Sequence, residues 1–424
     1  MTRTTGLAAA ALALSTLAAA PFLACSSSAA THEFDQTQPD AGPADGQATI
    51  GEGGNIIAPA NGHLTGKVFA PEGTIPIAGA LVYVSSSKPD PIPSGVFCDK
   101  CVQLESSTPY ATTNSDGSFD IKAQTGKHFL VVQKGNFRRV REIDIKDGDN
   151  ALGKDVTSLP KKSDKANGDD IPKMAIIAGI YDPIEASLAK LGLGDVDSSG
   201  AYVDGSGSFD IYEEGASGTQ SEAKLLEDSK KLNEYQIVFR PCSNCDDGFS
   251  SKSLPIKNVQ DFVAAGGRFY VTDWSYEWVR QPWPQYISFK NTEGTGFGAA
   301  CSASEYDAPA NVLDPGLKDW LKVQGVTNFD VTANYVVINQ LATVPSTDAN
   351  GAPAQITPKV WVEGNTGSSG VKPTTVSFER GCGRVLYSTY HTEATGTSKL
   401  APQELALLYV LLEVNVCIGT TKVN

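Results

Sequence analysis

The chain after residue 60 begins with short apolar runs that alternate with turn residues. The runs rich in β-branched and aromatic residues are LTGKVFA, ALVYVSS, SFDIKA, HFLVVQK and VREIDIK. Between two of them, Asp116-Gly117 in NSDGSF supplies the backbone conformations that a tight hairpin turn needs. Short strands at this spacing predict a small antiparallel β-sandwich over residues 61–160.

The pattern changes after a polar linker at residues 161–170. KMAIIAG is a continuous apolar run, which is typical of a strand buried in a parallel sheet. DPIEASLAKLG then predicts a helix with Asp182 as its cap, Pro183 in its first turn and Gly192 at its end. Further strands (YQIVFR, RFYVTDW, GRVLYSTY) alternate with helices (VQDFVAAGG, PQELALLYVLLEVN). This alternation predicts an α/β domain with a mostly parallel sheet over residues 171–420.

The N-terminal segment has the features of an export signal. Arg3 precedes LAAAALALSTLAAA, an apolar stretch too short to span a bilayer as a mature helix. PFLACSSS follows and resembles a bacterial lipobox, with Phe22 where leucine is usual. We therefore expect a signal peptide at 1–24 and a lipid on Cys25, the alternative being ordinary cleavage at the alanine-rich site. The Ser, Ala, Asp, Gly and Pro residues of 25–60 predict a disordered tether.

Charge and export together narrow the partners. The formal net charge is −14, from 34 Lys and Arg against 48 Asp and Glu. This charge argues against nucleic acid or an anionic membrane surface as the main partner, because phosphate binding needs clustered Lys and Arg. We expect a lipid-anchored protein of the bacterial cell envelope, on the outer membrane and facing an oxidising compartment. Its ligand would be an envelope glycan or a peptide, and no cofactor or metal is expected.

Both halves of the chain resemble known families. GKVFAPEG, PIAGALVYV and ATTNSDGSFDIKAQTGKHFLVVQ resemble the carboxypeptidase regulatory-like family, a prealbumin-type, carbohydrate-binding-like sandwich without catalytic residues. NVQDFVAAGGRFYVTD and GCGRVLYSTYHTE resemble the glutamine amidotransferase-like, flavodoxin-like fold, including its ThuA-like branch. The mature chain is also similar to uncharacterised exported lipoproteins of myxobacteria, and this similarity implies no known activity.

The histidine after the strand GRVLYSTY is the first candidate for catalysis. Parallel sheets bind ligands beyond the carboxyl ends of their strands, where His391 should lie. The amidotransferase resemblance implies that His391-Thr392-Glu393 would activate a nucleophile on a tight strand-to-helix turn. The matching turn, VTDWSY, offers Asp273 and Ser275 but no cysteine, and it lacks the glycines of a strained elbow. The alternative is a histidine at the pocket edge of a scaffold without catalysis.

Aromatic residues are dense immediately after that turn. DWSYEWVRQPWPQY contains three Trp and two Tyr in fourteen residues. Such a surface can stack on sugar rings or grip a peptide, or its rings can simply cover the sheet edge. We predict a ligand pocket bounded by Asp273, Trp274, Trp278, His391 and Glu393.

The cysteines are expected to form disulfides, since exported chains usually pair them. The expected bonds are Cys98 with Cys101, Cys242 with Cys245 or one of these with Cys301, and Cys382 with Cys417. A zinc site shared by the two Cys-x-x-Cys pairs is not expected, because the pairs lie in different predicted domains. Thiol redox chemistry is disfavoured at PCSNCDD, where two aspartates oppose a thiolate. GDVDSSGAYVDG lacks the final glutamate of a calcium loop, which favours a surface turn.

Two functions remain after these arguments. The first is a non-catalytic envelope protein that binds or scaffolds a carbohydrate or peptide ligand. The alternative is a hydrolase of sugar or amide bonds that uses His391 as its base.

Overall fold

The computed structural model of the 424-residue chain describes most of the protein from residue 60 onwards. The described residues are 49–50, 56–57, 60–98, 102–215, 217–218, 220–245, 250–292, 296–302, 304–347, 352–392, 397–412 and 418–421. The predicted signal peptide, the predicted lipidation site Cys25 and most of the predicted tether lie outside them, and so do Cys101, Glu393 and Cys417.

The N-terminal part is built mainly from antiparallel strands. Their bounds are β1 Thr49–Ile50, β2 Ile56–Ile57, β3 Gly62–Lys67, β4 Leu81–Ser85, β5 Val102–Glu105, β6 Tyr110–Thr112, β7 Ser118–Ala123, β8 Gly126–Lys134, β9 Phe137–Ile145, β10 Gly148–Ala151 and β11 Asp169–Asp170. One sheet has the order β10-β3-β7, and a second has the order β11-β9-β8-β4-β6. Leu64 and Ile121 of the first sheet and Val132 of the second belong to one buried core cluster.

Two sequence features of this part have clear structural outcomes. The predicted tight turn is present, with Gly117 at φ +77°, but the predicted hairpin is wrong, because β6 and β7 lie in different sheets and do not pair. Within the predicted linker 161–170, β11 pairs with β9, so part of the linker is structured. The short basic run of β9 takes part in this pairing, because Arg139 and Arg141 both contact the Asp169 carboxylate, at 3.0 and 2.8 Å.

The C-terminal part contains a mixed sheet flanked by helices. The strands of the C-terminal part, eight of which form the mixed sheet, are β12 Met174–Ala178, β13 Asp210–Glu213, β14 Ile237–Arg240, β15 Arg268–Thr272, β16 Ile287–Phe289, β17 Tyr306–Pro309, β18 Asn311–Val312, β19 Asp330–Asn334, β20 Ile338–Leu341, β21 Val344–Thr347, β22 Pro353–Ile356, β23 Lys359–Asn365, β24 Val371–Arg380, β25 Gly383–Ser388 and β26 Ile418–Thr421. The α-helices of the described residues are α1 Lys154–Thr157, α2 Ile184–Leu188, α3 Glu222–Leu226, α4 Ser229–Leu232, α5 Ser253–Ala264, α6 Glu277–Arg280, α7 Pro315–Val323 and α8 Pro402–Leu412.

The order of the mixed sheet explains where a site can form. The sheet runs β13-β12-β14-β15-β25-β24-β23-β18. The strands from β13 to β25 are mutually parallel, while β24, β23 and β18 continue the sheet antiparallel. The parallel strands therefore present their carboxyl ends at one shared edge, and the α/β class predicted from the sequence is confirmed at this level.

Helix α2 differs from its prediction at its first turn. Pro183 is the residue before the helix, and no side chain caps it. Asp182, the predicted cap, is fully buried and accepts hydrogen bonds from Thr272 and Thr392. The predicted apolar face is present, since Ile184 and Leu188 of α2 and Leu191 of the π-helical segment Ala189–Leu193 that follows it are all buried. The Asp182 prediction is therefore wrong, because the side chain serves the sheet edge and not the helix.

The two parts of the chain pack directly against each other. The Trp320 indole of α7 donates a 2.7 Å hydrogen bond to the carbonyl of Pro76 in the N-terminal part. The Val96 amide donates 2.8 Å to the Asn233 carbonyl. One hydrophobic cluster contains residues of both parts, so a single core extends across their boundary.

The disulfides differ from most of the expected bonds. Cys98 pairs with Cys382, with 5.1 Å between their Cα atoms, so it joins the N-terminal part to the turn before β25. The expected bonds of Cys98 with Cys101 and of Cys382 with Cys417 are therefore wrong. Cys245 pairs with Cys301, one of the alternatives predicted. Cys242 forms no disulfide and is fully buried, which contradicts its predicted role.

Within the described part of the chain, no helix is long and apolar enough to cross a membrane.

Candidate functional site at the carboxyl edge of the sheet

Three neighbouring strands bring chemically active side chains to the same edge. Cys242 follows β14, Asp273 follows β15, and His391 lies three residues after β25. One ligand atom from each of the three lies within 4.8 Å of the others, and all three residues are buried. We call this group the edge cluster. The three residues come together because β14, β15 and β25 are adjacent, parallel strands that end at the same edge of the sheet.

Asp273 occupies a strained turn between a strand and a helix. Strand β15 ends at Thr272, and a single tight turn over Asp273–Tyr276 leads into α6. Asp273 has a positive φ of 37°, which is uncommon for a residue other than glycine. This strand-to-helix turn therefore forms although no glycine flanks it, because Asp273 itself adopts the strained backbone conformation.

The surroundings of the Asp273 carboxylate hold it in one orientation. Its Oδ1 accepts hydrogen bonds from the backbone amides of Tyr335 and Val336, at 3.1 and 2.9 Å. Its Oδ2 lies 3.1 Å from His391 Nε2. Burial raises the pKa of Asp273, and the hydrogen bond from His391 opposes this rise. Of the two turn residues that the sequence offered beside His391, Asp273 is therefore the one at hydrogen-bond distance.

Cys242 is the residue that sequence reasoning assigned to the wrong role. Its thiol lies 3.8 Å from Asp273 Oδ2 and points at that carboxylate as a weak donor. Burial raises the pKa of the Cys242 thiol, and the nearby Asp273 carboxylate raises it further. The sulfur therefore stays protonated in this environment, which opposes a role as a nucleophile. Its position directly after β14, next to the strand that carries Asp273, is the signal that could have identified it.

A chain of hydrogen bonds fixes the strand ends relative to one another. The Cys242 amide donates to Thr272 Oγ1 at 2.7 Å, and that hydroxyl donates to Asp182 Oδ2 at 2.6 Å. Asp182 Oδ1 accepts the Thr392 amide at 3.0 Å, next to His391. Each contact is buried, so four strand ends are held by satisfied polar groups rather than by side-chain packing alone.

The candidate nucleophile Ser275 and the predicted pocket residue Trp278 take no part in the edge cluster. Ser275 donates its hydroxyl to the Pro241 carbonyl at 2.7 Å and is buried, so it is not hydrogen-bonded to His391. Trp278 is fully buried and packs edge-on against Phe269, with 6.3 Å between ring centroids. Trp278 is therefore a core residue and does not bound a pocket, while Glu393 lies outside the described residues.

A series of aromatic rings leads from the protein surface to the edge cluster. Tyr181, which is 49% exposed, meets Trp274 edge-on at 5.5 Å. Trp274 meets Tyr335 at 5.1 Å, and Tyr335 lies nearly parallel to the His391 ring at 6.2 Å and 26°. The Trp274 indole nitrogen is buried without a hydrogen-bond partner among the described residues. We call Tyr181, Trp274 and Tyr335 the aromatic wall.

Charged groups along the same edge are mostly acidic. The buried Arg240 guanidinium lies 3.3 Å from Glu214 and 3.4 Å from Glu222, so two carboxylates already share its charge. Glu185 lies close to Asp182, and burial with that neighbouring charge raises the pKa of Glu185 to about 7. The edge therefore combines buried carboxylates, a histidine, a thiol and surface aromatic rings.

A small cavity lies away from this edge, between β8, β9, α2 and α8. Its volume is about 10 Å³, which is enough for one water molecule.

Comparisons with known proteins provide no family for the chain. No family model matches it, and no curated protein matches it in sequence. Solved structures with a similar arrangement include a β-galactosidase from Bacillus circulans sp. alkalophilus, at 13% identity and a TM-score of 0.33. That match covers 57% of this chain and 31% of the other, so the chain spans about a third of the enzyme's length.

Two smaller proteins are similar over most of their own length. One is described as a ThuA-like protein from Bacteroides uniformis, with 13% identity, a TM-score of 0.30 and coverage of 56% of this chain and 89% of that one. The other is a cytoplasmic protein from Salmonella typhimurium, with 10% identity, a TM-score of 0.34 and coverage of 57% and 98%. A likeness this distant transfers no activity to the chain.

Proposed function

We propose that the protein binds a ligand at the aromatic wall, and that this ligand is a carbohydrate of the cell envelope or, as the second choice, a peptide. The observation that carries the proposal is the run of rings from Tyr181 through Trp274 to Tyr335, which ends on His391. Parallel α/β sheets bind their ligands beyond the carboxyl ends of the strands, and the aromatic wall lies at this edge.

The exposure of the outer rings supports binding over a purely structural role. Tyr181 is 49% exposed and its neighbour Ile180 is 62% exposed, although both are apolar enough to favour burial. A ligand that covers them removes apolar surface from water, at about 25 cal/mol per Å². The exposed Tyr181 side chain also carries a hydroxyl, which can exchange a hydrogen bond with a ligand on the same surface.

A carbohydrate suits this combination better than a peptide. The apolar faces of sugar rings stack on aromatic side chains, and sugar hydroxyls accept hydrogen bonds from donors at the edges of the platform. An extended peptide would require free backbone groups along the edge of a sheet. The aromatic wall offers side chains rather than an open strand edge.

The second candidate function is hydrolysis, and one contact favours it. His391 Nε2 and Asp273 Oδ2 are 3.1 Å apart, which is the geometry of a base with its orienting carboxylate. Three features weigh against it: Asp273 is fully buried, the Ser275 hydroxyl is bound to a backbone carbonyl, and the pKa of the Cys242 thiol is raised. Binding without turnover is therefore the first choice.

The test uses a pair of tyrosines with equal exposure. Tyr181 lies in the aromatic wall and Tyr110 lies on β6, and both are 49% exposed. After a glycan and peptide array identifies a ligand, calorimetry should show that Tyr181→Ala weakens binding by about tenfold or more, since one stacking contact contributes about 0.5–1.5 kcal/mol beyond its buried area. Tyr110→Ala should bind like the wild type. Equal losses in both variants would refute binding at the wall.

His391→Gln separates binding from hydrolysis. Under the binding proposal the variant keeps most of its affinity, because the His391 ring is almost fully buried behind Tyr335. Under the hydrolase alternative it loses turnover of a sugar or amide substrate. Detectable turnover by the wild type that disappears in His391→Gln would replace the first proposal with the second.

The cellular setting belongs to the same proposal. We propose a lipid on Cys25, a tether, a carboxypeptidase regulatory-like sandwich of the prealbumin type, and a flavodoxin-like domain with ThuA-like features. The order of the five parallel strands supports the flavodoxin-like domain. Numbered as they occur in the chain, these strands lie side by side in the sheet as 2-1-3-4-5. Disulfides suit an oxidising compartment outside the cytoplasm. Labelled fatty acid should be incorporated by the wild type but not by Cys25→Ser.

A further inference from the structure

The edge cluster has the composition of a metal centre. A thiol sulfur, an imidazole nitrogen and a carboxylate oxygen converge from the ends of β14, β15 and β25. These are the donor types that zinc takes in proteins, and three protein ligands leave one coordination position for water or a ligand oxygen. We propose that Cys242, Asp273 and His391 bind one Zn²⁺ ion, independently of any glycan or peptide at the aromatic wall.

The distances within the edge cluster suit a tetrahedral ion. Zinc bonds of about 2.0–2.3 Å place two ligand atoms about 3.2–3.7 Å apart around a tetrahedral ion. The observed separations are 3.1 Å from His391 Nε2 to Asp273 Oδ2 and 3.8 Å from Cys242 Sγ to the same oxygen. All pairs lie within 4.8 Å, so closure around the ion requires side-chain shifts of about an ångström.

The groups behind the ligands are arranged as a supporting layer. Backbone amides of Tyr335 and Val336 hold Asp273 Oδ1 and leave Oδ2 turned towards the cluster. The backbone amide of Cys242 is fixed by Thr272. Gln403 donates to the His391 carbonyl at 2.8 Å. Metal ligands are usually oriented by such outer hydrogen bonds, and their loss typically weakens binding by about 10–100-fold.

Charge also favours a cation at this position. Asp273 and Asp182 are both fully buried carboxylates on this edge. Arg240 lies 3.3 Å from Glu214 and 3.4 Å from Glu222, so its single positive charge is shared with two further carboxylates. A divalent ion at the edge cluster would balance the Asp273 carboxylate together with a thiolate.

The binding step is a simple exchange of a proton for a metal bond. The Sγ–H bond of Cys242 breaks, its proton leaves to solvent, and the thiolate bonds to Zn²⁺. His391 binds through Nε2 as a neutral imidazole, with its proton on the other ring nitrogen. No atom changes its oxidation state. A mixed thiolate, imidazole and carboxylate set selects Zn²⁺ over Mg²⁺ and Ca²⁺, which prefer oxygen ligands alone.

The experiment uses the mature chain with its disulfides intact, stripped of metal by a chelator, and no added sugar. Titration with Co²⁺ should give a thiolate-to-cobalt charge-transfer band that saturates at one equivalent and is displaced by Zn²⁺. Cys242→Ser should lose this band, and His391→Gln should bind at least about 100-fold more weakly. His128→Gln, which changes a histidine on β8, is the matched control and should behave like the wild type.

Three results would overturn the proposal. One is a wild-type chain that gives no charge-transfer band, a result that needs no variant to fold. Another is a band that persists in Cys242→Ser. The last is equal affinity for Zn²⁺ in the wild type and His391→Gln. A thermal melt of each metal-free variant checks its folding, and Zn²⁺ should raise the melting temperature of the wild type by several degrees but not that of Cys242→Ser. Failure of the glycan array would leave these outcomes unchanged.

Discussion

Replacing Glu185 with glutamine should make the protein more stable at alkaline pH. Glu185 lies in the first turn of α2, and its Oε2 is buried without a hydrogen-bond partner among the described residues. Burial, with the nearby Asp182 charge, raises the pKa of Glu185 from 4.5 to about 7. The folded protein therefore keeps this proton over a pH range in which the unfolded chain has lost it.

The size and sign of the effect follow from this difference in pKa. Between about pH 4.5 and pH 7 the folded state binds more protons than the unfolded state, so the free energy of unfolding falls as the pH rises. The loss is absent below pH 4.5 and complete above about pH 8. Each pKa unit corresponds to about 1.4 kcal/mol, so the full loss is about 3 kcal/mol. Glu185→Gln carries no titrating group and escapes this loss.

Thermal melts across pH 4 to pH 9 provide the assay. Glu185→Gln should melt close to the wild type near pH 4.5 and roughly 5 °C higher at pH 8. Glu213→Gln, at an exposed position on β13, removes the same charge and is the control. A difference between Glu185→Gln and the wild type that is equal at pH 4.5 and pH 8 would refute the raised pKa as its cause.

Three further perturbations test the packing. Lys190→Met should lower the free energy of unfolding by about 3–5 kcal/mol, because the Glu404 carboxylate would lose the buried ammonium 3.2 Å away. Adding Glu404→Gln should restore most of this stability, as measured by chemical denaturation. Cys98→Ser with Cys382→Ser should cost about 2–5 kcal/mol in the same assay, and an unchanged denaturation midpoint would contradict a structural disulfide. Trp320→Phe should cost about 1–3 kcal/mol in thermal melts, because it leaves a buried carbonyl unpaired, and no loss would show that water replaces the indole.

The sequence was sufficient for the features that depend on local periodicity. The apolar run at Met174–Ala178 is a buried strand inside the sheet, and the tight turn at Gly117 has the expected positive φ, although it joins two sheets rather than a hairpin. His391 was predicted at the carboxyl edge of the sheet because a strand precedes it, and its contact with Asp273 agrees with that placement. In each case the neighbouring residues along the chain determine the outcome.

Features that depend on distant pairing were not predictable in the same way. Cys242 and Cys245 are close in sequence, but only Cys245 forms a disulfide, and its partner Cys301 is 56 residues away. Asp182 has the sequence of a helix cap, yet its carboxylate accepts hydrogen bonds from residues 90 and 210 positions later. Trp278 is an aromatic residue near the site in sequence that faces the core in three dimensions. Sequence distance does not reveal which of these tertiary contacts forms.

The bond between Cys98 and Cys382 also changes the chain's connectivity. The two residues are 284 positions apart, so the intervening polypeptide forms a covalent ring. A protease that cuts one peptide bond within this ring opens it but releases no fragment, and both products stay joined through sulfur. A nicked molecule would therefore migrate as one species without reductant and as two with it, and the disulfide would keep the N-terminal part joined to the last parallel strand.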